Sequence, residues 1–315
     1  MGVQTLDRPD ASISYWVDGP RDAPTVLFLH GAALDHRAWD RQVSVLVDRY
    51  RVVTVDLRNH GESTASAPFR FDDAVDDVVA LLDVLRSRRL ALVGLSLGGN
   101  IAQEVVHRVP ERVDALVVAD ATDNRARRGV VQRAVALAAV RGLALYPHWL
   151  FLRAAARVTA QDHAARRYVR EATASMSQRD AVRVLMSLLT GALHPDPGYQ
   201  LPVPTLLVHG DRDRIGDIAA SSRRWARRQR DVELVVIPSA SHLSNLDAPH
   251  AFNAALTAFL ERFLPSDTPS DRPTTTSTRS TGRSRIRWRD RLRSITRRLR
   301  ALSGPGAPPA ASGRS

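Results

Sequence analysis

The chain contains no cysteine. That absence excludes disulfides, zinc-thiolate centres, iron–sulfur clusters and a thiol nucleophile. Lysine is absent too, so all 45 basic residues are Arg. With abundant Ala, this fits the coding bias of a GC-rich genome better than a functional demand for guanidinium. No window approaches the ~20 apolar residues of a membrane span. Residues 1–11 are polar and lack an apolar signal core, so export by a standard signal peptide is not expected and the cytoplasm is. No cluster has metal-ligand spacing and no glycine-rich phosphate loop occurs, so neither a metal nor a nucleotide cofactor is expected.

What is present begins with 315 residues that are 44% hydrophobic, enough for a sizeable core. The formal charge of +12 invites a polyanionic partner, but its position decides the matter. Residues 265–315 hold 12 Arg and 3 Asp, which leaves only +3 for the other 264 residues. The globular part is nearly balanced.

Apolar runs at 25–30, 51–56, 90–95 and 113–120 read as buried strands. Helical spacing occupies 36–47, 71–86 and 98–108 between them. Unbroken apolar strands separated by helices predict an α/β fold: a mostly parallel central sheet with helices on both faces. Residues 12–17 alternate and read as a further strand. From 122 to 202 the spacing predicts four helices (near 127–145, 148–158, 161–175 and 178–192) and no strand. Alternation resumes with strands at 205–209 and 232–238 and helices at 218–228 and 249–263. The expected organisation is core (1–121), helical insertion (122–202), core (203–264) and basic tail (265–315). Within the tail, Trp288, Leu292, Ile295, Leu299 and Leu302 fall on one helical stripe surrounded by Arg. This predicts an amphipathic helix over 285–302 suited to an anionic membrane surface, which would make the protein peripheral to the membrane; nucleic acid is not the expected partner. A solvated extension is the competing reading.

The strongest local signal is Gly94-Leu95-Ser96-Leu97-Gly98. Such a pattern arises by chance about once in ten chains of this length. Its setting carries the weight: it follows an apolar strand and opens a helix, a sharp turn that lifts a serine hydroxyl clear of a sheet. A serine nucleophile needs an adjacent base. His242 follows the last strand, in Ala240-Ser241-His242. An imidazole there needs a carboxylate, and Asp211 and Asp213 both follow the preceding strand. All these groups would sit at carboxyl ends of parallel strands.

Together with Leu29-His30-Gly31-Ala32-Ala33, the segment from Asp56 to Ser63 and His209-Gly210-Asp211-Arg212-Asp213, these motifs resemble the α/β-hydrolase fold superfamily, of the esterase, lactonase and haloperoxidase-like kind. The resemblance spans 12 to about 264 apart from the middle of the insertion. It implies Asp213 as the acid, the backbone N–H groups of Ala32 and Leu97 as the oxyanion hole, and the insertion as a cap. Asn59 departs from the family's usual Gly and would need left-handed backbone. The candidate pocket residues are Trp39, Trp149, Phe151, Tyr168, Met176 and Met186, with core packing as the competing reading. Arg125, Arg127 and Arg128 are candidates for a substrate carboxylate. His30 and His60 are expected to brace loops, His209 to pack at a strand end, and His36, His148, His163 and His194 to lie at the surface. The expected activity is cofactor-independent hydrolysis of a small-molecule ester or lactone through an acyl-enzyme. C–C bond hydrolysis and perhydrolysis by the same triad are alternatives, as is a non-catalytic scaffold tethered by the tail. Oligomeric state is not legible.

Overall fold

A computed structural model describes residues 2–192 and 194–266. The expected tail helix at 285–302 lies outside the described residues. The chain runs β1 (Gln4–Arg8), β2 (Ala11–Asp18), β3 (Thr25–Leu29), α1 (Asp40–Leu46), β4 (Arg51–Val55), β5 (Thr64–Ala65), α2 (Phe71–Leu85), β6 (Leu90–Leu95), α3 (Leu97–Arg108) and β7 (Ala115–Ala119). Four helices follow, α4 (Val130–Gly142), α5 (His148–Thr159), α6 (His163–Ala174) and α7 (Gln178–Gly191). The chain then returns through β8 (Thr205–Gly210), α8 (Ile218–Arg228), β9 (Val232–Ile237), α9 (Ser244–Asp247) and α10 (Pro249–Phe263).

The sheet order is β1-β2-β4-β3-β6-β7-β8-β9, with β5 paired to β2. From β4 to β9 every pairing is parallel, while β1 and β2 are antiparallel. The apolar runs have their cause here: β3, β6, β7 and β8 are buried at every position, with helices covering both faces. On one face, Leu27 and Leu92 join α2 residues such as Leu81 and α3 residues such as Ile101. On the other, Phe28 and Val93 join Trp39, Phe252 and Phe259.

Two short strands escaped the sequence reading. β1 is a polar edge strand, Gln-Thr-Leu-Asp-Arg, and is held by main-chain pairing to β2 rather than by burial. β5 has only two residues. The expected helix at 36–47 is instead a 3₁₀ turn, His36–Trp39, running into α1. Asp35 opens that turn by accepting a hydrogen bond from Arg37 N at 3.0 Å.

The strand order defines the site. The chain moves from β3 outward to β4, then crosses back to lay β6 on the other side of β3. The loops after β3 and β6 therefore diverge and leave a crevice at the carboxyl ends of these strands.

Candidate active site

Ser96 stands between β6 and α3 with φ 51° and ψ −114°, a backbone conformation rare for a residue with a side chain. The flanking glycines make this turn feasible. A Cβ on Gly94 would fall 2.3 Å from Gly98 O, and one on Gly98 would fall 2.2 Å from Leu29 O. The chain crossing is too tight for any side chain there. Ser96 N donates to Ala119 O at 2.8 Å and Gly98 N to His30 O at 3.1 Å, which ties the turn to the ends of β7 and β3.

His242 reaches this serine from the loop after β9. Its Nε2 lies 2.9 Å from Ser96 Oγ, and its Nδ1 lies 3.0 Å from Asp213 Oδ2. The second Asp213 oxygen accepts from Ile215 N at 2.9 Å, which fixes the carboxylate plane. Asp211 is exposed, and only its main chain is engaged, through Ile237 O. Burial alone would lower the His242 pKa. The hydrogen bond and charge of Asp213 oppose burial, and the His242 pKa is held above the ordinary 6.5.

Gly31 runs beside the serine, close enough that a Cβ on it would lie 3.5 Å from Ser96 Cβ. The amides of Ala32, just beyond, and of Leu97, at the first position of α3, have no protein acceptor among the described residues. Two unspent donors beside a serine hydroxyl that contacts an imidazole, one at a helix N-terminus, suit a developing negative charge.

His30 braces the loops, as expected. Its Nδ1 lies 2.8 Å from Gly31 O, and its Nε2 accepts from Leu57 N at 3.0 Å. That pair of contacts requires the proton on Nδ1, and burial lowers its pKa. Burial and the neighbouring His30 push His60 down to about 3, so it is neutral. His209 is buried and bonded to Gly210 O. Asn59 adopts φ 61° and donates to Ala67 O at 3.2 Å. His148, His163 and His194 are exposed. His36 is not a free surface residue: it stacks on Trp16 at 3.6 Å between ring centroids, and its Nδ1 lies 2.9 Å from Asp56 Oδ1.

The expected pocket set divides. Trp39 is fully buried between Phe28 and Phe252, because the 3₁₀ turn directs its indole into the layer beneath α10; it is a core residue. Trp149 is 65% exposed on the first turn of α5, whose buried positions are Phe151 and Ala156. Phe151 and Met176 are buried. Tyr168 is a strut: its hydroxyl accepts from Asp35 N at 3.2 Å and donates to Asp35 O at 3.1 Å. Arg125 is bonded to Glu104 at 2.8 Å, and Arg128 is bonded to Thr122. The charge of Arg125 is spent on Glu104, Arg128 is held by a neutral hydroxyl, and Arg127 is exposed.

One residue beside this site went unnoticed in the sequence. Asp120, fully buried at the end of β7 with φ 48°, accepts from Gly210 N at 3.0 Å and from Ser244 Oγ at 2.5 Å. Its signal was available: a carboxylate ending an apolar strand, level with the serine turn in the next strand.

The α/β hydrolase fold family model matches residues 24–249. The chain is 26% identical to 3-oxoadipate enol-lactonase 2 of Acinetobacter baylyi over 260 residues, covering 81% of this chain and 96% of that one. It is 30% identical to the putative carbamate hydrolase RutD of a Caulobacter species over 249 residues, covering 76% of this chain and 91% of the relative. Among solved structures, the enol-lactonase from Burkholderia xenovorans superposes with a TM-score of 0.71 at 22% identity, covering 82% of this chain and 99% of that one. The chain belongs to the α/β-hydrolase family. It is an enzyme of the hydrolase class. Among the described residues no helix is long and apolar enough to cross a membrane.

Proposed function

We propose that the protein hydrolyses a small carboxylic ester or lactone, with Ser96 as nucleophile, His242 as base and Asp213 as its orienting acid. The observation that carries this reading is the unbroken line from Asp213 Oδ2 through His242 to Ser96 Oγ. Ser96 Oγ attacks the acyl carbon while His242 Nε2 takes its proton. The imidazolium so formed keeps its Nδ1–H on Asp213. The amides of Ala32 and Leu97 hold the oxyanion, where loss of one donor typically costs ~3 kcal/mol. Collapse expels the alkoxide, which leaves with the proton from Nε2. Water, deprotonated by the same nitrogen, then releases the acid from Ser96.

Helices α4–α7 serve as the cap. Ser241 Oγ donates to Val158 O and Leu243 N to Thr159 O, so the end of α5 grips both sides of His242. Thr173 reaches Ala33 O, and Phe71 N donates to Ser187 Oγ. The names of the relatives, enol-lactonase and carbamate hydrolase among them, favour acyl transfer to water with a compact substrate.

A panel separates the reactions: an acyl chain-length series of p-nitrophenyl esters, simple and enol lactones, a vinylogous diketone, and peroxide with a carboxylic acid. Turnover of esters or lactones, lost by roughly 10⁴-fold or more in Ser96→Ala, is expected. Turnover of the diketone alone would replace the ester reading with C–C bond hydrolysis.

A further inference from the structure

Helix α4 reverses the usual pattern of a surface helix. None of its residues is buried, and it packs on α7 as the outermost layer. Its half-buried positions are Ala136, Leu137, Val140 and the final Gly142. The opposite face, over the exposed Val131, Ala134, Val135, Ala138 and Ala139, follows helical spacing without one polar side chain. Val131 is 77% exposed and Val135 is 62% exposed. A 13-residue helix is about 20 Å long, so this apolar strip is no isolated side chain. Directly after it, Leu145 is 87% exposed, and Tyr146 and Trp149 are exposed as well.

Along the chain, the charges flanking this face have one sign, and Asp180 on the neighbouring helix α7 is paired with Arg183. Residues 124–161 contain seven Arg and no Asp or Glu. Arg125 and Arg128 are engaged inside the protein, as described above. Arg127, Arg133, Arg141, Arg153 and Arg157 are exposed and have no ion pair among the described residues. Trp149, Arg153 and Arg157 recur every four residues along α5, so an aromatic ring and two guanidinium groups share one side of that helix.

We propose that the outer face of α4, with the turn into α5, seats on an anionic lipid surface. An apolar face with Trp among arginines is the composition of an interfacial helix. The charge argues against the other two occupants. A second copy would bring the same arginines face to face. The chain's own segment 283–300 carries nine Arg and one Asp, and would be repelled in the same way. An anionic bilayer accepts both the valines and the arginines. This surface does not depend on the hydrolase reading. It also meets the site, because the last turn of α5 holds the loop that carries His242.

The absence of cysteine gives a clean test. Full-length Val135→Cys carries a single thiol for an environment-sensitive fluorophore. Val84→Cys, on an exposed position of α2, is the control. Vesicles of phosphatidylcholine alone and of phosphatidylcholine with phosphatidylglycerol are added to each. The fluorophore at 135 is expected to shift to the blue and to be quenched by doxyl lipid on anionic vesicles only, while the one at 84 stays unchanged. Val131→Glu with Val135→Glu should weaken vesicle partitioning about tenfold, with the melting temperature kept as the check on folding. Ser96→Ala should bind as the parent does, so failure of the hydrolase reading would leave this result standing. Co-sedimentation with no response at 135 would overturn the proposal and assign attachment to the tail. A response at 135 that tracks protein concentration without lipid would overturn it in favour of a second copy.

Discussion

Asp120 Oδ2 accepts from both the hydroxyl and the main-chain N–H of Ser244, at 2.5 and 3.2 Å. Its other oxygen accepts from Gly210 N at 3.0 Å. Ser244 stands two residues after His242, and Gly210 three before Asp213. A single buried carboxyl group therefore ties the end of β7 to both loops that bring His242 and Asp213 to Ser96. Under the proposed mechanism, Asp120 positions these two groups. Above about pH 8, where Asp120 is ionised, Asp120→Asn keeps its shape but turns an amide donor toward one of these N–H groups. The expected result is a fall of about tenfold in kcat with little change in KM, because small misplacements of reacting groups are costly.

The same variant has a signature in stability. Burial, and after it the charge of Asp213, raise Asp120 from 3.8 to about 8, against the pull of His242 and its donors. An acid raised on folding binds more protons in the native state than in the unfolded one. Native stability therefore falls as pH rises between these two values. Asp120→Asn cannot lose that proton. Measured by denaturant unfolding, its stability relative to the parent should improve from pH 5 to pH 8. A constant difference would mean that Asp120 does not titrate in this window.

Under the proposed mechanism the pH dependence of turnover follows from His242, which must be neutral to take the serine proton. Its pKa is raised above 6.5, so kcat/KM should rise with pH through an acid limb centred above 6.5. Asp213→Asn removes the hydrogen bond and charge that oppose burial. The limb should then move to lower pH, while kcat falls by roughly 10³–10⁴-fold. A limb that stays in place would assign the titration to another group.

Gly98→Ala tests the serine turn by sterics alone. The added methyl group would lie 2.2 Å from Leu29 O, a main-chain atom in the middle of the sheet. The strand or the turn must shift, at a cost of about 1–3 kcal/mol or more. A lower melting temperature and loss of esterase activity are expected together. Unchanged values for both would show that the crossing is looser than the structure has it.

Much of this was readable from residues, and the reasons differ by element. The inner strands were legible because burial on both faces leaves unbroken apolar runs. The serine turn was legible because its geometry tolerates so few residues. β1 was not, since an edge strand such as Gln4–Arg8 is held by main-chain pairing that its side chains do not report. Trp39 misled because a large aromatic residue near a strand end fits core and pocket equally well; only its contacts with Phe28 and Phe252 decide. Asp120 was passed over because its role depends on Gly210 and Ser244, 90 and 124 residues away in the chain. The exposed face of α4 hid for a related reason: helical spacing shows an apolar side but not whether that side points in or out.

The central claim is that Ser96 is the activated nucleophile of a hydrolase. The most direct test is intact-mass analysis and peptide mapping after brief exposure to a fluorophosphonate probe. The account predicts a single adduct, on the peptide carrying Ser96, formed by the parent, slowed in His242→Ala and absent from Ser96→Ala. Labelling of Ser96→Ala at the parental rate, or a parental adduct on a different serine, would contradict it.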